Sequence, residues 1–144
     1  MNQCLMPWSI LINFFVDHQC DVYYLAPAFD GSFPFSMYLP YFLKTLLLEL
    51  PIYYFFLRNL RTWKEIVLIN LNLNLATHPI LFYGISALCS SYQSSYLTYL
   101  ISAEIFAPLV ETLLLIFVYK VNYKKAITAA VIANLISWSV GIWL

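Results

Sequence analysis

The fold is decided by residues 66–103, IVLINLNLNLATHPILFYGISALCSSYQSSYLTYLISA, a run of 38 positions without a single Asp, Glu, Lys or Arg. Roughly 20 apolar residues, rising 1.5 Å each, cross the hydrocarbon core of a bilayer as a helix. The run therefore holds nearly two crossings. Clustered serines and a Gln at 89–96 (CSSYQSSY) carry turn chemistry and divide it. A second uncharged run covers 126–144 and is long enough for one crossing.

The remainder of the chain agrees. Hydrophobic residues make up 62% of the 144 positions and charged residues 10%, against about 25% charged in a soluble domain. Mean hydropathy is +0.77. So few charges cannot clothe a core in water, and the composition predicts an all-α integral membrane four-helix bundle. The spans fall at about 37–57, 66–88, 96–119 and 126–144. Residues 1–36 form a separate amino-terminal segment. Within it Leu5–Val16 is apolar but only 12 residues long, about 18 Å as a helix, so an interfacial or re-entrant piece is expected, with a fifth span as the alternative.

Net charge is zero, which leaves no electrostatic footprint for nucleic acid. Cys4, Cys20 and Cys89 form no CxxC pair, which removes the common zinc and redox motifs. Their disulfide state stays open, with Cys20 within reach of a partner in Cys4 or Cys89. No Lys or Arg precedes Lys44 and no small-residue cleavage site surrounds Cys20, so the first residues are expected to belong to the mature protein.

Six of the seven basic residues fix the orientation. Arg58, Arg61 and Lys64 lie between spans 1 and 2, and Lys120, Lys124 and Lys125 lie between spans 3 and 4. The positive-inside rule makes loops 58–65 and 120–125 cytoplasmic. Both termini, Asp17, Asp21, Asp30 and the Ser-rich loop then lie outside the cytoplasmic membrane. Tyr38, Tyr41, Trp63, Tyr92, Tyr96, Tyr99, Tyr119, Tyr123 and Trp143 crowd the predicted edges, as interface anchors do.

The two halves also read alike. Glu49 precedes Arg58 by nine residues and Glu111 precedes Lys120 by nine. After each basic loop comes Asn-Leu-x-Ser/Thr, at Asn74–Thr77 and Asn134–Ser137. This predicts a duplicated two-helix hairpin in a parallel 2+2 repeat. Counted from the basic loops, Glu49, Asn74, Glu111 and Asn134 all sit about 13–15 Å up, near mid-membrane. Lys44, His78 and Glu104 form an outer layer at roughly 21–24 Å. Asn70, Asn74, Thr77 and His78 share one face of span 2, Glu104 and Glu111 share one of span 3, and Asn134, Ser137 and Gly141 share one of span 4.

Lipid satisfies none of these groups, so the polar stripes should face one another or a wet cavity. An ionised side chain at mid-membrane costs at least a few kcal/mol, and such residues mark function by default. Glu49 and Glu111 suit a proton or cation, with Asn74, Thr77, Asn134 and Ser137 as neutral ligands. The plainer reading is hydrogen-bonded glue between helices. Lys44 with Glu104 suits a buried ion pair. His78 with Glu104 and Glu111 would need a further strong ligand to hold a metal, and the sequence supplies only Glu49 nearby; it does not identify a cofactor. Pro51, Pro79 and Pro108 lie within spans and are expected to kink them around a small cavity. No GxSxG, HExxH, GxGD or P-loop pattern occurs, and Asp17, His18, Cys20 and Asp21 make no recognisable catalytic set.

Three functions remain. The first is binding or transport of a proton, cation or small solute, in a homo-oligomer or with other membrane subunits. The second is a structural subunit of a larger membrane complex. The third is an intramembrane enzyme acting on lipid, with Glu49, Glu111 or His78 as acid or base.

Overall fold

The computed structural model describes residues 35–91 and 96–143. The amino-terminal segment, including Leu5–Val16 and the Asp17–Asp21 cluster, lies outside them. Among the described residues all regular structure is helical, in four long helices joined by short loops. Helix α1 is Phe35–Leu57. Helix α2 starts as Trp63–Pro79, continues through a π-helical stretch Ile80–Ile85 and ends as Ser86–Ser91. Helix α3 is Tyr96–Phe117 and α4 is Tyr123–Trp143. Two segments, Trp63–Cys89 and Thr98–Phe117, are long and apolar enough to cross a membrane.

Helices α2 and α4 begin three residues before the expected 66 and 126. Charge counting started them at the first uncharged position, but local capping decides the boundary. Thr62 Oγ1 accepts from the Glu65 N–H, and the Thr62 N–H donates to Glu65 Oε2 at 2.8 Å, a reciprocal capping box. Asn122 Oδ1 accepts from the Lys124 N–H at 3.0 Å and opens α4 in the same manner. Likewise Cys89, Ser90 and Ser91, expected in a turn, continue α2.

Pro79 explains the widening of α2. Its ring removes an N–H and crowds the carbonyl one turn back, and the helix relaxes into wider turns just beyond it. By contrast α1 and α3 stay α-helical across Pro51 and Pro108.

The helices form a ring in which α1 packs on α2 and α4, and α3 packs on the same two. Thus α1 and α3 are diagonal partners. Arg61 Nη2 donates to the Tyr119 carbonyl at 2.7 Å and brings the two basic loops together at one end. Next to that end the core is dry and tight: Tyr53, Leu57, Ile66, Leu73 and Leu115 have no exposed surface. On α4 the facing residues are Ala126, Ala129, Ala130 and Ala133, all fully buried. Their small side chains let α1 and α3 approach the α4 backbone closely.

Not every aromatic belongs to an edge. Tyr41, Trp63 and Tyr123 are exposed, but Tyr38, expected among the anchors, is only 6% exposed. It stacks on Phe42 and packs edge-on against Phe82 and His78.

The alanine seam gives a direct test. Ala129→Leu forces extra methylenes into a filled contact and should cost about 1–3 kcal/mol. Val131→Leu, on the outer face of the same helix, should change stability by less than about 0.5 kcal/mol. Unfolding midpoints in detergent distinguish the two.

Candidate functional site

Two carboxyls lie at the centre of the ring, Glu49 on α1 and Glu111 on α3, with 0% and 1% exposure. Each reaches both neighbouring helices. Asn74 of α2 donates Nδ2 to Glu49 Oε2 at 2.7 Å, and Ser137 of α4 lies 3.3 Å from Glu49 Oε1. Asn134 of α4 donates Nδ2 to Glu111 Oε2 at 2.5 Å, and Thr77 of α2 lies 3.4 Å from Glu111 Oε1. Each Glu thus takes an amide from the Asn of its own hairpin and a hydroxyl from the other hairpin. The structure brings together all six residues singled out in the sequence for the inner layer.

The hydroxyls have a second use. Thr77 Oγ1 lies 3.1 Å from the Leu73 carbonyl, and Ser137 Oγ lies 3.0 Å from the Asn134 carbonyl. One hydroxyl carries one proton. While that proton serves the helix carbonyl, the same oxygen can accept from a protonated Oε1. Each Glu therefore has one oxygen fixed by an amide and another able to take up a proton with its acceptor already in place.

Sequence reasoning missed one member. Tyr53 Oη donates to Glu111 Oε2 at 2.6 Å, across the diagonal from α1. Its i+4 spacing from Glu49 was the available signal, hidden because tyrosines elsewhere in the chain mark edges. Asn70, recognised on the α2 stripe, has a structural use: its Nδ2 donates to the Leu46 carbonyl at 2.9 Å, and its Oδ1 accepts from Asn74 at 3.2 Å.

Above this layer is a cavity of about 130 Å³, and Glu49, Asn74, Glu111 and Asn134 form its end nearest the basic loops. The walls rise away from that end through Thr45, His78, Ala103, Glu104 and Trp138. Of the outer layer, His78 and Glu104 line the cavity. Lys44 does not; it is half-buried on α1. Depth counted along a helix fixes height but not facing. Beneath the four polar side chains lies the dry core around Tyr53, Leu57 and Leu115.

His78 is pinned from several sides. Its ring stacks on Phe82 and meets Phe42 edge-on, and its Nε2 lies 3.1 Å from Thr45 Oγ1. Two buried side-chain atoms near the cavity have no partner among the described residues, Asn74 Oδ1 and His78 Nδ1. Among the described residues no group of three or more His, Cys, Asp or Glu is placed to hold a metal ion. Cys89 is buried on α2, and Cys4 and Cys20 lie outside the described residues.

No protein-family model, curated protein or solved structure matches the chain. The chemistry of the side chains therefore carries the functional reading.

The donors to Glu111 differ in weight. Tyr53→Phe removes one bond and should lower stability by about 1 kcal/mol. Asn134→Leu leaves a buried carboxyl short of its amide and should cost about 1–3 kcal/mol. Unfolding by SDS in mixed micelles reads both. An Asn134→Leu variant as stable as the parent would mean that α4 contributes nothing to holding Glu111.

Proposed function

We propose that this chain is an integral membrane four-helix bundle that binds, and passes across the membrane, a proton, a cation or a small solute at the layer formed by Glu49, Asn74, Glu111 and Asn134. The observation that carries the reading is the inverted distribution of polarity. Glu49, Asn70, Asn74, Thr77, Glu111 and Asn134 are buried, whereas Leu47, Phe55, Leu68, Ile105, Leu109 and Phe117 are more than half exposed. Water would favour the opposite arrangement, and lipid favours this one. At 1.5 Å per residue α1 and α4 measure about 34 and 31 Å, enough to cross beside α2 and α3.

The basic residues of both loops lie at one end, which the positive-inside rule assigns to the cytoplasm of a cell with this protein in its cytoplasmic membrane. The cavity then opens toward the outside and ends blind at mid-membrane, above a dry floor. Passage requires that floor to open, either by motion of α4 on its alanine seam or in an oligomer or complex that completes the path.

A duplicated hairpin is part of this proposal. The buried positions of α2 and α4 correspond in order: Ile66 with Ala126, Ile69 with Ala129, Leu73 with Ala133, Asn74 with Asn134. The caps Thr62 and Asn122 correspond as well. The exchanged hydroxyls, Thr77 to Glu111 and Ser137 to Glu49, are what a twofold relation between hairpins produces.

One observation favours a second reading, a structural subunit. Glu111 receives Tyr53, Thr77 and Asn134 from the other three helices, so it ties the bundle together. The intramembrane-enzyme reading is the least supported. A cavity of about 130 Å³ has room for a few small atoms, well under the roughly 300–1,000 Å³ of pockets for drug-sized ligands.

Reconstitution separates these readings. Proteoliposomes should pass protons, Na+, K+ or methylammonium, and Glu49→Gln should reduce that flux at least about tenfold while the protein still accumulates. If Glu49→Gln and Glu111→Gln both vanish from the membrane, the structural reading takes over. For orientation, single cysteines at Asn59 and Asn122, in a chain whose native cysteines are replaced, should react with an impermeant maleimide only from the cytoplasmic face.

A further inference from the structure

We infer that the cytoplasmic rim of the bundle binds the phosphate of anionic phospholipids, through Lys64 and Lys124 on the exposed rings of Trp63 and Tyr123 and Arg58 on that of Phe55. The inference goes beyond the Glu/Asn layer. It rests only on the proposed reading that the chain crosses a membrane with loops 58–65 and 120–125 cytoplasmic.

Positive charge is gathered at this end and left unbalanced. Arg61 Nη2, donating to the Tyr119 carbonyl, holds the two loops together, so six of the seven basic residues share one end of the bundle. Arg61 itself is half-buried, whereas Arg58, Lys64, Lys120, Lys124 and Lys125 are exposed. Among the described residues there are four carboxyl side chains. Glu49 and Glu111 are buried in the ring, and Glu104 lines the cavity. Glu65 alone stands at the basic end, and its Oε2 already accepts from the Thr62 N–H at 2.8 Å and from Thr62 Oγ1 at 2.9 Å. Six cations thus stand against one engaged carboxylate.

The cations are placed more specifically than a charged loop requires. Lys64 Nζ lies 5.9 Å from the centre of the Trp63 ring, and Lys124 Nζ lies 5.9 Å from that of Tyr123. Arg58 Cζ lies 5.5 Å from the centre of the Phe55 ring. All three are within the roughly 6 Å reach of cation–π attraction. The three rings are more than half exposed, so the cations they carry stand on the outer surface of the bundle. Trp and Tyr rings settle at the headgroup level of a bilayer, which puts Lys64 and Lys124 among the phosphates. The arrangement occurs twice: Thr62-Trp63-Lys64 opens α2 and Asn122-Tyr123-Lys124 opens α4, with cap, ring and ammonium in the same order. An apolar ring beside a cation complements a phospholipid, whose acyl chains adjoin its phosphate.

Charge then selects the lipid. The phosphate of phosphatidylcholine brings its own ammonium and gains little from a second cation. The phosphate of phosphatidylglycerol has none. Basic clusters beside a membrane span attract such anionic lipids, each Lys or Arg contributing about fivefold in affinity. Arg58 can in addition meet a phosphate with two parallel N–H bonds.

The test is native mass spectrometry of the chain in detergent, titrated with phosphatidylglycerol or with phosphatidylcholine of the same acyl chains. Phosphatidylglycerol should bind at least about tenfold more tightly. Excess inorganic phosphate should displace little of it, because contact with the acyl chains is part of the site. Lys64→Gln and Lys124→Gln should each lower the affinity for phosphatidylglycerol about fivefold, and Lys64→Arg should retain it. Lys125 lies over no ring among the described residues, and Lys125→Gln should lower the affinity less than either. Equal affinity for the two lipids overturns the inference, as does full displacement by inorganic phosphate. Equal losses from all three Lys→Gln variants overturn it too, because they mark diffuse charge rather than the ring-bound cations. Each of these results leaves the membrane-spanning reading in place if alkaline carbonate fails to extract the chain from membranes. Extraction by carbonate removes that reading and the inference with it. The comparison of lipids uses only the unmodified chain, so it decides the question even if a variant does not fold.

Discussion

Glu49 and Glu111 are almost wholly buried, and a buried carboxyl without donors is among the least tolerable groups a fold can contain. Neither can be satisfied within its own helix. Glu49 needs the amide of Asn74 and reaches the hydroxyl of Ser137; Glu111 needs Asn134 and reaches Thr77. Each Glu-bearing helix must therefore touch both Asn-bearing helices at the height of its carboxyl. That requirement fixes the ring order and the vertical register of all four helices together. Sliding any one helix by a turn would take at least one side-chain partner from one of the carboxyls.

On the proposed duplication the two hairpins correspond in outline but differ in polar capacity. Tyr53 supplies Glu111 with a phenol, whereas Leu115, facing it in the other half, supplies none. Asn70 supports Asn74, while the matching α4 position is Ala130. His78 sits among aromatic rings on α2, and Trp138 takes that height on α4. Polar capacity is thus concentrated between α1 and α2, and small volume is concentrated on α4. On the proposed reading, the first hairpin recognises the ligand and the second supplies the close-packed surface on which the bundle can shift.

The cavity differs in character on the two sides of the Glu/Asn layer. Below the Glu/Asn layer the side chains are large, apolar and fully buried; above it the walls carry Thr45, His78 and Glu104. Pro79 and the π-helical turns after it stand at the same level. A helix that has already given up one backbone bond there is easier to part from its neighbours than the uninterrupted turns nearer the loops. On the proposed reading, polar walls on one side and dry packing on the other suit a site loaded from one face of a membrane.

Much of this was written in the sequence. The scarcity of charge, the two basic loops and the constant nine-residue spacing of Glu49 from Arg58 and Glu111 from Lys120 set the helices and the height of each polar group, because rise per residue is constant. Local chemistry set the ends more finely than charge did, through the caps at Thr62 and Asn122. What only the tertiary structure decided was facing and partnership. Lys44 stands at the height of the outer layer but off the cavity, Tyr38 turns inward, Tyr53 crosses the diagonal to Glu111, and each hydroxyl serves the opposite hairpin. Height along a helix is a one-dimensional property that residue counting reads directly. Which side chain meets which depends on how four helices rotate and pack against one another, and that is settled only when the bundle closes around its two carboxyls.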